Sequence, residues 1–300
     1  MSPVTVRVPA KVNLQLSVGA SRPDGYHDLA TVFHAVSLFD EVTALPGDHL
    51  TVSIEGEGAD EVPVDAHNLA LAAAHALAEH TGVEATAHLH IHKAIPVAGG
   101  MAGGSADAAG ALLALDKLWN TRLDRDELQA IAATVGSDAP FALVGHTAVG
   151  LGRGERLTPA LARGRFHWVL AFAEFGLSTS TVYTELDRLR AGSVLAEPRV
   201  SEVLMTALRS GDAVTLGRAL SNDMQRAAVS LAPDLAMTLD VGDEYGALGA
   251  IVCGSGPTCA FLARDGEHAL DLAVALTASG TCRSVKTVTG PAAGARVVTS

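Results

Sequence analysis

The feature that most constrains this chain is a glycine-rich segment that leads directly into a helix-like run. The sequence AIPVAGGMAGGSADAAGALLALDKLW runs from Ala94 to Trp119, and four of the six positions from 99 to 104 are glycine. Glycine costs about 0.5–1 kcal/mol relative to alanine inside a helix or strand, so such a cluster needs a reason. A loop of this kind lets backbone N–H groups point inward at a helix N-terminus, where the helix dipole favours an anion. The segment therefore predicts a phosphate site at the start of a helix from about Ser105 to Leu118.

Two better-known phosphate motifs do not fit this segment. A P-loop would end in Gly-Lys followed by Ser or Thr, and no Gly-x-Gly-x-x-Gly register fits residues 98–106. A plain flexible turn with close helix packing stays open as the alternative. Of two further glycine clusters, residues 150–154 are more typical of a turn, whereas residues 253–259 fit a hairpin turn or a site equally well.

Length and hydrophobic patterning predict a two-lobed α+β protein. A chain of 300 residues exceeds one comfortable core, and 48% hydrophobic with 18% charged residues is typical of a folded protein. Strands are predicted in the first forty residues, where apolar and polar side chains alternate, and again at 166–175 and 283–289. Helices are predicted near 68–80, 105–118, 124–136, 180–190, 200–210, 212–229 and 266–279, with a short non-helical connection at Ser137–Pro140. The pattern restarts after Gly164, which predicts an N-terminal domain at 1–160 and a C-terminal domain at 161–300.

Charge and cysteine content exclude several classes of partner. A formal net charge of −12 argues against a nucleic-acid-binding surface. The apolar runs fall far short of the ~20 residues that a membrane span needs, and we expect neither a membrane partner nor a signal peptide. The three cysteines (Cys253, Cys259 and Cys282) form no Cys-x-x-Cys pair, so we expect a reducing cytoplasm. The sequence leaves the oligomeric state open.

The segment PVAGGMAGGSADAA resembles the phosphate-binding motif of the GHMP kinases. Three further pieces occur in the same order as in one branch of that family: PAKVNLQLSV (9–18) with RPDGYHDL (22–29), GSDAPFAL (136–143) and CGSGPTCAF (253–261). The resemblance implies a nucleotide-binding α/β lobe of the ribosomal S5 domain 2-like type and a ferredoxin-like C-terminal lobe, with the active site between them.

The resemblance also implies a reaction. ATP, with Mg²⁺, would phosphorylate the 2-hydroxyl of a cytidine diphosphate-linked methylerythritol, a step of the non-mevalonate (MEP) pathway of isoprenoid synthesis. Two alternatives stay open. One is another small-molecule kinase of the family, of the homoserine or mevalonate type, and the other is an inactive nucleotide-binding paralogue.

The ATP-binding residues are implied by the same resemblance. Asn68 and Lys93 match adenine-side positions, and Ser105 offers a hydroxyl for phosphate or magnesium. The loop itself comprises Pro96, Val97, Ala98, Gly99, Gly100, Met101, Ala102, Gly103, Gly104, Ser105 and Ala106. Alanine stands at 98 and 102 where relatives often have glycine, and at 106 where many have a second serine.

Phosphoryl transfer to an alcohol needs positioning, charge neutralisation and an activated hydroxyl. The resemblance makes Asp138 the candidate base and Lys11 its cationic partner. Asn13 lies two residues further along the same strand face and could bind the substrate. From spacing alone, Asp138 is an ordinary N-cap aspartate and Lys11 a solvated charge.

Recognition of the cytosine base would fall to Tyr26, His27 and Tyr183. Tyr26 and His27 follow a Pro-Asp-Gly turn, and an aromatic ring beside an imidazole can stack on a base and read its edge. Tyr183 matches the family's second aromatic, which would complete a sandwich around the base. The alternative for Tyr26 and for Tyr183 is ordinary packing.

Three histidines invite a metal interpretation. His88, His90 and His92 share one face of a predicted strand. Structural zinc usually needs four ligands, and no cysteine or carboxylate cluster lies nearby in the sequence, so a polar sheet face is the better prediction.

Overall fold

The computed structural model describes residues 2–298. The strands are β1 (Val4–Ser21), β2 (His27–Leu45), β3 (Thr51–Gly56), β4 (His88–Lys93), β5 (Thr147–Gly152), β6 (Arg156–Pro159), β7 (Phe166–Phe172), β8 (Ser221–Asn222), β9 (Gly249–Val252), β10 (Cys259–Ala263), β11 (Ser284–Gly290) and β12 (Arg296–Val297). The helices are α1 (Leu69–Thr81), α2 (Gly103–Trp119), α3 (Arg125–Val135), α4 (Ala139–Val144), α5 (Thr179–Arg190), α6 (Glu202–Ser210), α7 (Ala213–Ala219), α8 (Gln225–Leu231), α9 (Asp234–Glu244) and α10 (Gly266–Ser279).

The first lobe is built on the long antiparallel pair of β1 and β2. Its sheet runs in the order β12-β1-β2-β4-β3, and β5 with β6 continues from the other end of β2. Helix α2 packs against β1, β2 and α1. Small residues allow this close approach, since a Cβ on Gly110 of α2 would lie only 2.6 Å from Val42 Cγ2. The glycine-rich segment therefore lies at the N-terminal end of a helix fixed directly on the sheet.

The second lobe is a four-stranded antiparallel sheet in the order β11-β7-β10-β9. Numbered by their order in the chain, these strands read 4-1-3-2, and the crossover segments are helical, which is the ferredoxin-like arrangement. Trp168 and Leu170 of β7 belong to the same buried cluster as Val8 and Val12 of β1, so the two lobes share a core. The two-lobed α+β fold is as expected from the sequence.

The two sheets do not correspond to two continuous segments of the chain. Strand β6 belongs to the first sheet and β7 to the second, while β8 and β12 from the later part of the chain pair with β1 of the first sheet. The division at residue 160 therefore passes between the sheets, but the later segment returns twice to the first lobe.

Two local predictions were wrong. The single helix expected at 212–229 is two helices, α7 and α8, because Ser221 and Asn222 pair with β1 between them. The connection Ser137–Pro140 is helical from Ala139 onward, since proline is tolerated in the first turn of a helix. Helix α9 was not predicted. No helix among residues 2–298 is both long and apolar enough to cross a membrane.

Candidate active site

A cavity of about 850 Å³ lies between the lobes and collects most of the predicted site residues. Two of the predicted ATP-binding residues, Met101 and Ala106, do not line the cavity, because both are buried in the core. The predicted residues that do line it are Lys11, Asn13, Tyr26, His27, Asn68, Lys93, Pro96, Val97, Ala98, Gly99, Gly100, Ala102, Gly103, Gly104, Ser105, Asp138 and Tyr183.

The glycine loop forms one wall of the cavity because its backbone lies against the second lobe. Gly100 has φ +75°, and a Cβ there would lie 1.9 Å from the carbonyl oxygen of Cys253, so only glycine fits. The loop ends at Ala102, the N-cap of α2, whose methyl group cannot cap a helix. The first N–H groups of α2 therefore face the cavity side with no capping side chain, which suits an incoming phosphate.

Two alanines of the loop adopt left-handed backbone geometry. Ala98 has φ +49° and Ala102 has φ +62°. A residue with a Cβ is disfavoured there by roughly 1–2 kcal/mol, which is why glycine is the default residue at such positions. The loop therefore adopts this conformation at the cost of backbone strain at Ala98 and Ala102.

Lys11 is fixed on the floor of the cavity by β1. Its side chain is 7% exposed, and its Nζ donates to Asn13 Oδ1 at 2.6 Å and to the Gly100 carbonyl at 2.8 Å. Asn13 is held in turn, since its Nδ2 donates to Thr31 Oγ1 at 2.8 Å. The alternation of β1 places Lys11 and Asn13 on one face, and the cation is thereby fixed beside the glycine loop.

Asp138 stands at the N-cap position of α4, yet its side chain makes no capping hydrogen bond. Its Oδ2 lies 3.7 Å from Lys11 Nζ, and the side chain is 29% exposed toward the cavity. The ordinary interpretation as a helix cap therefore does not describe this residue. A carboxylate beside a fixed lysine, open on one side, is placed to accept a proton from a bound alcohol.

The segment 253–256 closes the floor from the second lobe. A Cβ on Gly254 would lie 3.1 Å from Lys11 Nζ, so the backbone approaches the lysine closely. Asn222, on β8, donates through Nδ2 to the carbonyls of Val252 and Gly254 and holds the turn in place. Burial raises the pKa of the Cys253 thiol to about 12, despite the nearby Lys11 charge, so this cysteine is no nucleophile.

The other end of the cavity carries the aromatic residues. Tyr26 is 51% exposed, and the Arg153 guanidinium lies 5.0 Å from the centre of its ring. The ring of His27 stacks on that of Tyr183, with centroids 4.8 Å apart and planes 17° apart. His27 Nε2 also bonds to Asp187 Oδ1 at 2.9 Å. Tyr183 was expected as one side of a sandwich around a base, and in this structure it backs the imidazole.

Burial, together with the charges of Asp138 and Asp187, raises the pKa of Tyr183 to about 12. Its hydroxyl therefore stays protonated through the physiological range and remains a hydrogen-bond donor. Because Asp138 contributes to this shift, the base-like carboxylate and the aromatic end lie within electrostatic reach of each other.

Lys93 is the centre of a buried ionic cluster behind the loop. Its Nζ donates to Asp40 Oδ2 at 2.5 Å and to Asp107 Oδ2 at 2.6 Å, and all three side chains are almost fully buried. Burial lowers the pKa of Lys93, but the two carboxylates outweigh it and hold the value above normal. Asp40 Oδ1 also accepts from the backbone of Ala94 and Ile95, so the cluster joins β2, the loop entry and α2.

Asn68 lines the cavity but is also a helix cap. Its Oδ1 accepts from the N–H groups of Ala70 and Leu71 at the start of α1, and its Nδ2 donates to the Pro63 carbonyl. One amide hydrogen of the side chain is thus left for a ligand.

The donor set for magnesium is small. Within residues 2–298, no group of three or more His, Cys, Asp or Glu side chains is arranged to hold a metal ion. Mg²⁺ commonly uses one or two protein oxygens and completes its shell with phosphates and water. Ser105 supplies a hydroxyl in the cavity lining, and this sparse donor set fits an ion carried in with nucleotide phosphates.

The three histidines of β4 form a polar sheet face. His88 bonds to Thr51 and Ser53, while His90 and His92 share Glu55 Oε1. Hydrogen bonds from these two histidines lower the pKa of the exposed Glu55.

The two-lobed fold and the loop at the start of α2 define a small-molecule kinase, and the comparisons agree. The family model described as GHMP kinases N terminal domain matches residues 68–146, and that described as GHMP kinases C terminal matches residues 204–282. The chain belongs to the GHMP kinase family.

Two of its similar relatives within that family carry the same name. The 4-diphosphocytidyl-2-C-methyl-D-erythritol kinase of Streptomyces avermitilis is 59% identical over 295 residues, covering 98% of this chain and 99% of the relative. The enzyme of that name from Mycobacterium tuberculosis H37Rv is 55% identical over 299 residues, covering 99% and 93%.

Solved structures give the same fold. A crystal structure of 4-(cytidine 5'-diphospho)-2C-methyl-D-erythritol kinase is 33% identical, with a TM-score of 0.76, covering 95% of this chain and 98% of that one. Homoserine kinase from Cytophaga hutchinsonii is 16% identical with a TM-score of 0.76, covering 99% and 98%, and this likeness concerns the fold alone.

Several cavity residues were missed by sequence reasoning. Arg153 lies in the glycine cluster 150–154, which is more typical of a turn, and its cation could not be placed over Tyr26 without the fold. Asp187 is four residues after Tyr183, and this helical spacing was the available signal that both share a face of α5. The contacts of Lys93 with Asp107, and with Asp40 outside the cavity lining, could not be predicted, because the three residues lie on different elements.

Proposed function

We propose that this chain transfers the terminal phosphoryl group of ATP to the 2-hydroxyl of 4-diphosphocytidyl-2-C-methyl-D-erythritol. The observation that carries the proposal is a single cavity. It joins the phosphate loop, the Lys11–Asp138 pair and the Tyr26–His27 end, in a chain whose relatives of that name match it over nearly its full length.

The nucleotide would enter along the glycine loop. Its phosphates lie against the N–H groups at the start of α2, and the adenine end lies toward Asn68 and Lys93. Mg²⁺ bound with ATP would neutralise phosphate charge, and Ser105 is the residue that would hold it through its hydroxyl.

The alcohol would enter from the aromatic end. Tyr26 offers an exposed ring to the cytosine base, His27 offers a ring edge, and Tyr183 holds the His27 ring in its plane. With the base at Tyr26 and His27, the diphosphate would extend past Arg153. The methylerythritol hydroxyl would then reach the Lys11–Asp138 pair.

The chemical step then needs one proton acceptor and one cation. The 2-oxygen bonds to the terminal phosphorus of ATP, the bond from that phosphorus to the bridging oxygen breaks, and ADP leaves. Asp138 takes the hydroxyl proton, and Lys11 stabilises the negative charge that gathers around the transferring group.

Three further statements belong to the proposal. Residues 1–160 and 161–300 act as the two domains. The enzyme works in the cytoplasm, which three free thiols support. If the substrate were instead homoserine or mevalonate, it would carry no base to bind at the Tyr26–His27 end of the cavity.

A coupled assay for ADP release tests the proposal. The purified chain is given ATP and Mg²⁺ with the cytidylated substrate, and separately with homoserine or mevalonate. We expect turnover with the cytidylated substrate only. Equal or faster turnover with homoserine or mevalonate would overturn the substrate assignment, and no turnover with any alcohol would overturn the kinase assignment.

A further inference from the structure

Helix α5 holds His27 by two of its residues at once. Tyr183 and Asp187 are four positions apart and therefore lie on one face of the helix. Tyr183 stacks on the imidazole face, and Asp187 Oδ1 lies 2.9 Å from the imidazole Nε2. The imidazole is 5% exposed, so its plane and its rotation are both fixed by α5.

The bond to Asp187 determines which imidazole nitrogen carries hydrogen. An ionised carboxylate can only accept, so Nε2 must donate. In the neutral imidazole the other nitrogen, Nδ1, is then an acceptor. Among the hydrogen bonds of residues 2–298, none uses His27 Nδ1, and the residue lines the cavity.

An acceptor at this position distinguishes two pyrimidines. Cytosine carries an exocyclic amino group at C4, which donates, whereas uracil carries a carbonyl oxygen there, which accepts. A fixed Nδ1 lone pair therefore attracts the cytosine edge and repels the uracil edge. The opposite tautomer, with hydrogen on Nδ1, would reverse this preference.

We propose that Asp187 is a positioning residue that selects cytosine over uracil by holding His27 in the tautomer with hydrogen on Nε2. This inference rests on the proposed function, because it assumes that the substrate base lies at the edge of His27. It adds a residue and a chemical basis for the choice of nucleotide.

The surroundings of Asp187 support a role beyond surface charge. The basic residues near it on α5 have other partners: Arg188 binds Glu185, and Arg190 binds Asp223. The Asp187 side chain is 47% exposed and lines the cavity, so it is not needed to fill a core. Among the side-chain hydrogen bonds and ion pairs of residues 2–298, that of Asp187 is with His27.

The test uses substrates that differ only in the base. kcat and KM are measured at about pH 8, where an imidazole is ordinarily neutral, with cytidine- and uridine-linked methylerythritol diphosphates. The variants are Asp187→Lys, which can only donate to Nε2, and Asp187→Glu, which can still accept. Asp240→Lys, an exposed position on α9, is the matched control for the change in charge.

Because both substrates carry the same diphosphate, the ratio of their kcat/KM values cancels the general effect of an added cation. The parent, Asp187→Glu and Asp240→Lys are expected to prefer cytidine. Asp187→Lys is expected to lower that preference by about tenfold or more, mainly through KM for the cytidine substrate. The tautomer of His27 is read from the nitrogen chemical shifts of ¹⁵N-histidine-labelled protein. These shifts should show the hydrogen on Nδ1 in Asp187→Lys and on Nε2 in the other proteins.

The outcomes separate the two proposals. A cytidine-selective parent beside an Asp187→Lys variant within about twofold of the same ratio would overturn the role of Asp187 alone. An unchanged His27 tautomer in Asp187→Lys would overturn it as well. If the parent protein phosphorylates neither the cytidine- nor the uridine-linked substrate, the proposed function is contradicted. The role of Asp187 in selecting cytosine then fails with it.

Discussion

Lys11 Nζ lies 3.7 Å from Asp138 Oδ2, which brings a strand at the start of the chain against the loop before α4. The lysine is nearly buried and already bonded to Asn13 and Gly100, so its position is set before any ligand arrives. The aspartate is the partner with free space around it. This division of roles is the basis of the first prediction.

Asp138→Asn should lower kcat by about 10²- to 10⁴-fold, because an amide cannot take the proton of the attacking hydroxyl. ATP affinity should change little, since the carboxylate faces the alcohol rather than the adenine end. Thermal stability should also change little, because this side chain caps no helix. The measurement is kcat beside melting temperature for the same protein, with Asp240→Asn as the control. A folded variant that keeps kcat within about threefold of the parent would remove Asp138 from the chemistry.

The sequence predicted the parts of this site that lie in one continuous segment. The glycine loop could be placed at a helix start, because glycine content and the following apolar run are local signals. The resemblance to GHMP kinases was confirmed by the family comparison. Asp138 was expected in a non-helical connection, and only the structure shows that it stands at the N-cap position of α4 without capping that helix.

The parts that were missed depend on pairings between distant elements. Nothing in the sequence joins Lys93 to Asp40, because their contact requires β2 and β4 to be neighbours in the sheet. The interruption between α7 and α8 could not be predicted for the same reason. The helical pattern is broken there because Ser221 and Asn222 pair with β1. Arg153 reaches Tyr26 through the turn that follows β5.

Gly104→Val should weaken ATP binding by about tenfold or more while the protein stays folded. Gly104 is exposed in the first turn of α2 and lines the cavity, and its Cβ would already lie 3.2 Å from Leu69 Cδ1. The valine methyls would therefore occupy space that a phosphate needs. Calorimetric titration with ATP gives the affinity. Gly266→Val is the matched control, because Gly266 is an exposed first-turn glycine of α10 away from the cavity. Equal affinities for the two variants would contradict a phosphate site at this loop.

Ala102→Gly should stabilise the protein, which is unusual for a change to glycine. Ala102 has φ +62°, where a Cβ costs roughly 1–2 kcal/mol, while the extra freedom of glycine in the unfolded chain costs about 0.4–1 kcal/mol. The net gain in the free energy of unfolding should be about 0.5–1 kcal/mol, measured by chemical denaturation. Ala111→Gly, the same change inside α2 at a fully buried position, should destabilise by about 1 kcal/mol or more. The strain interpretation fails if both changes shift stability in the same direction.

Asp107→Asn should flatten the dependence of stability on pH. Burial, opposed by Lys93 and reinforced by Asp40, raises the pKa of Asp107 to about 7 from its ordinary value of 3.8. A carboxyl group whose pKa is higher in the folded state binds its proton more tightly there. Its contribution to stability is therefore complete below the ordinary pKa and is lost as pH rises through about 7.

The loss arises because this carboxyl group ionises freely in the unfolded chain above its ordinary pKa, whereas in the folded protein a second negative charge around the single cation of Lys93 is unfavourable. Each pH unit between the two pKa values then costs the parent up to about 1.4 kcal/mol of unfolding free energy. In Asp107→Asn the amide cannot ionise, and Lys93 keeps Asp40 as its partner. Urea denaturation at a series of pH values from about 5 to 8 should give a shallower slope for the variant than for the parent. Asp240→Asn, which removes an exposed carboxylate instead, should follow the parent. If Asp107→Asn and the parent lose stability in parallel over this range, the carboxyl group of Asp107 does not take up a proton in the folded protein near neutral pH.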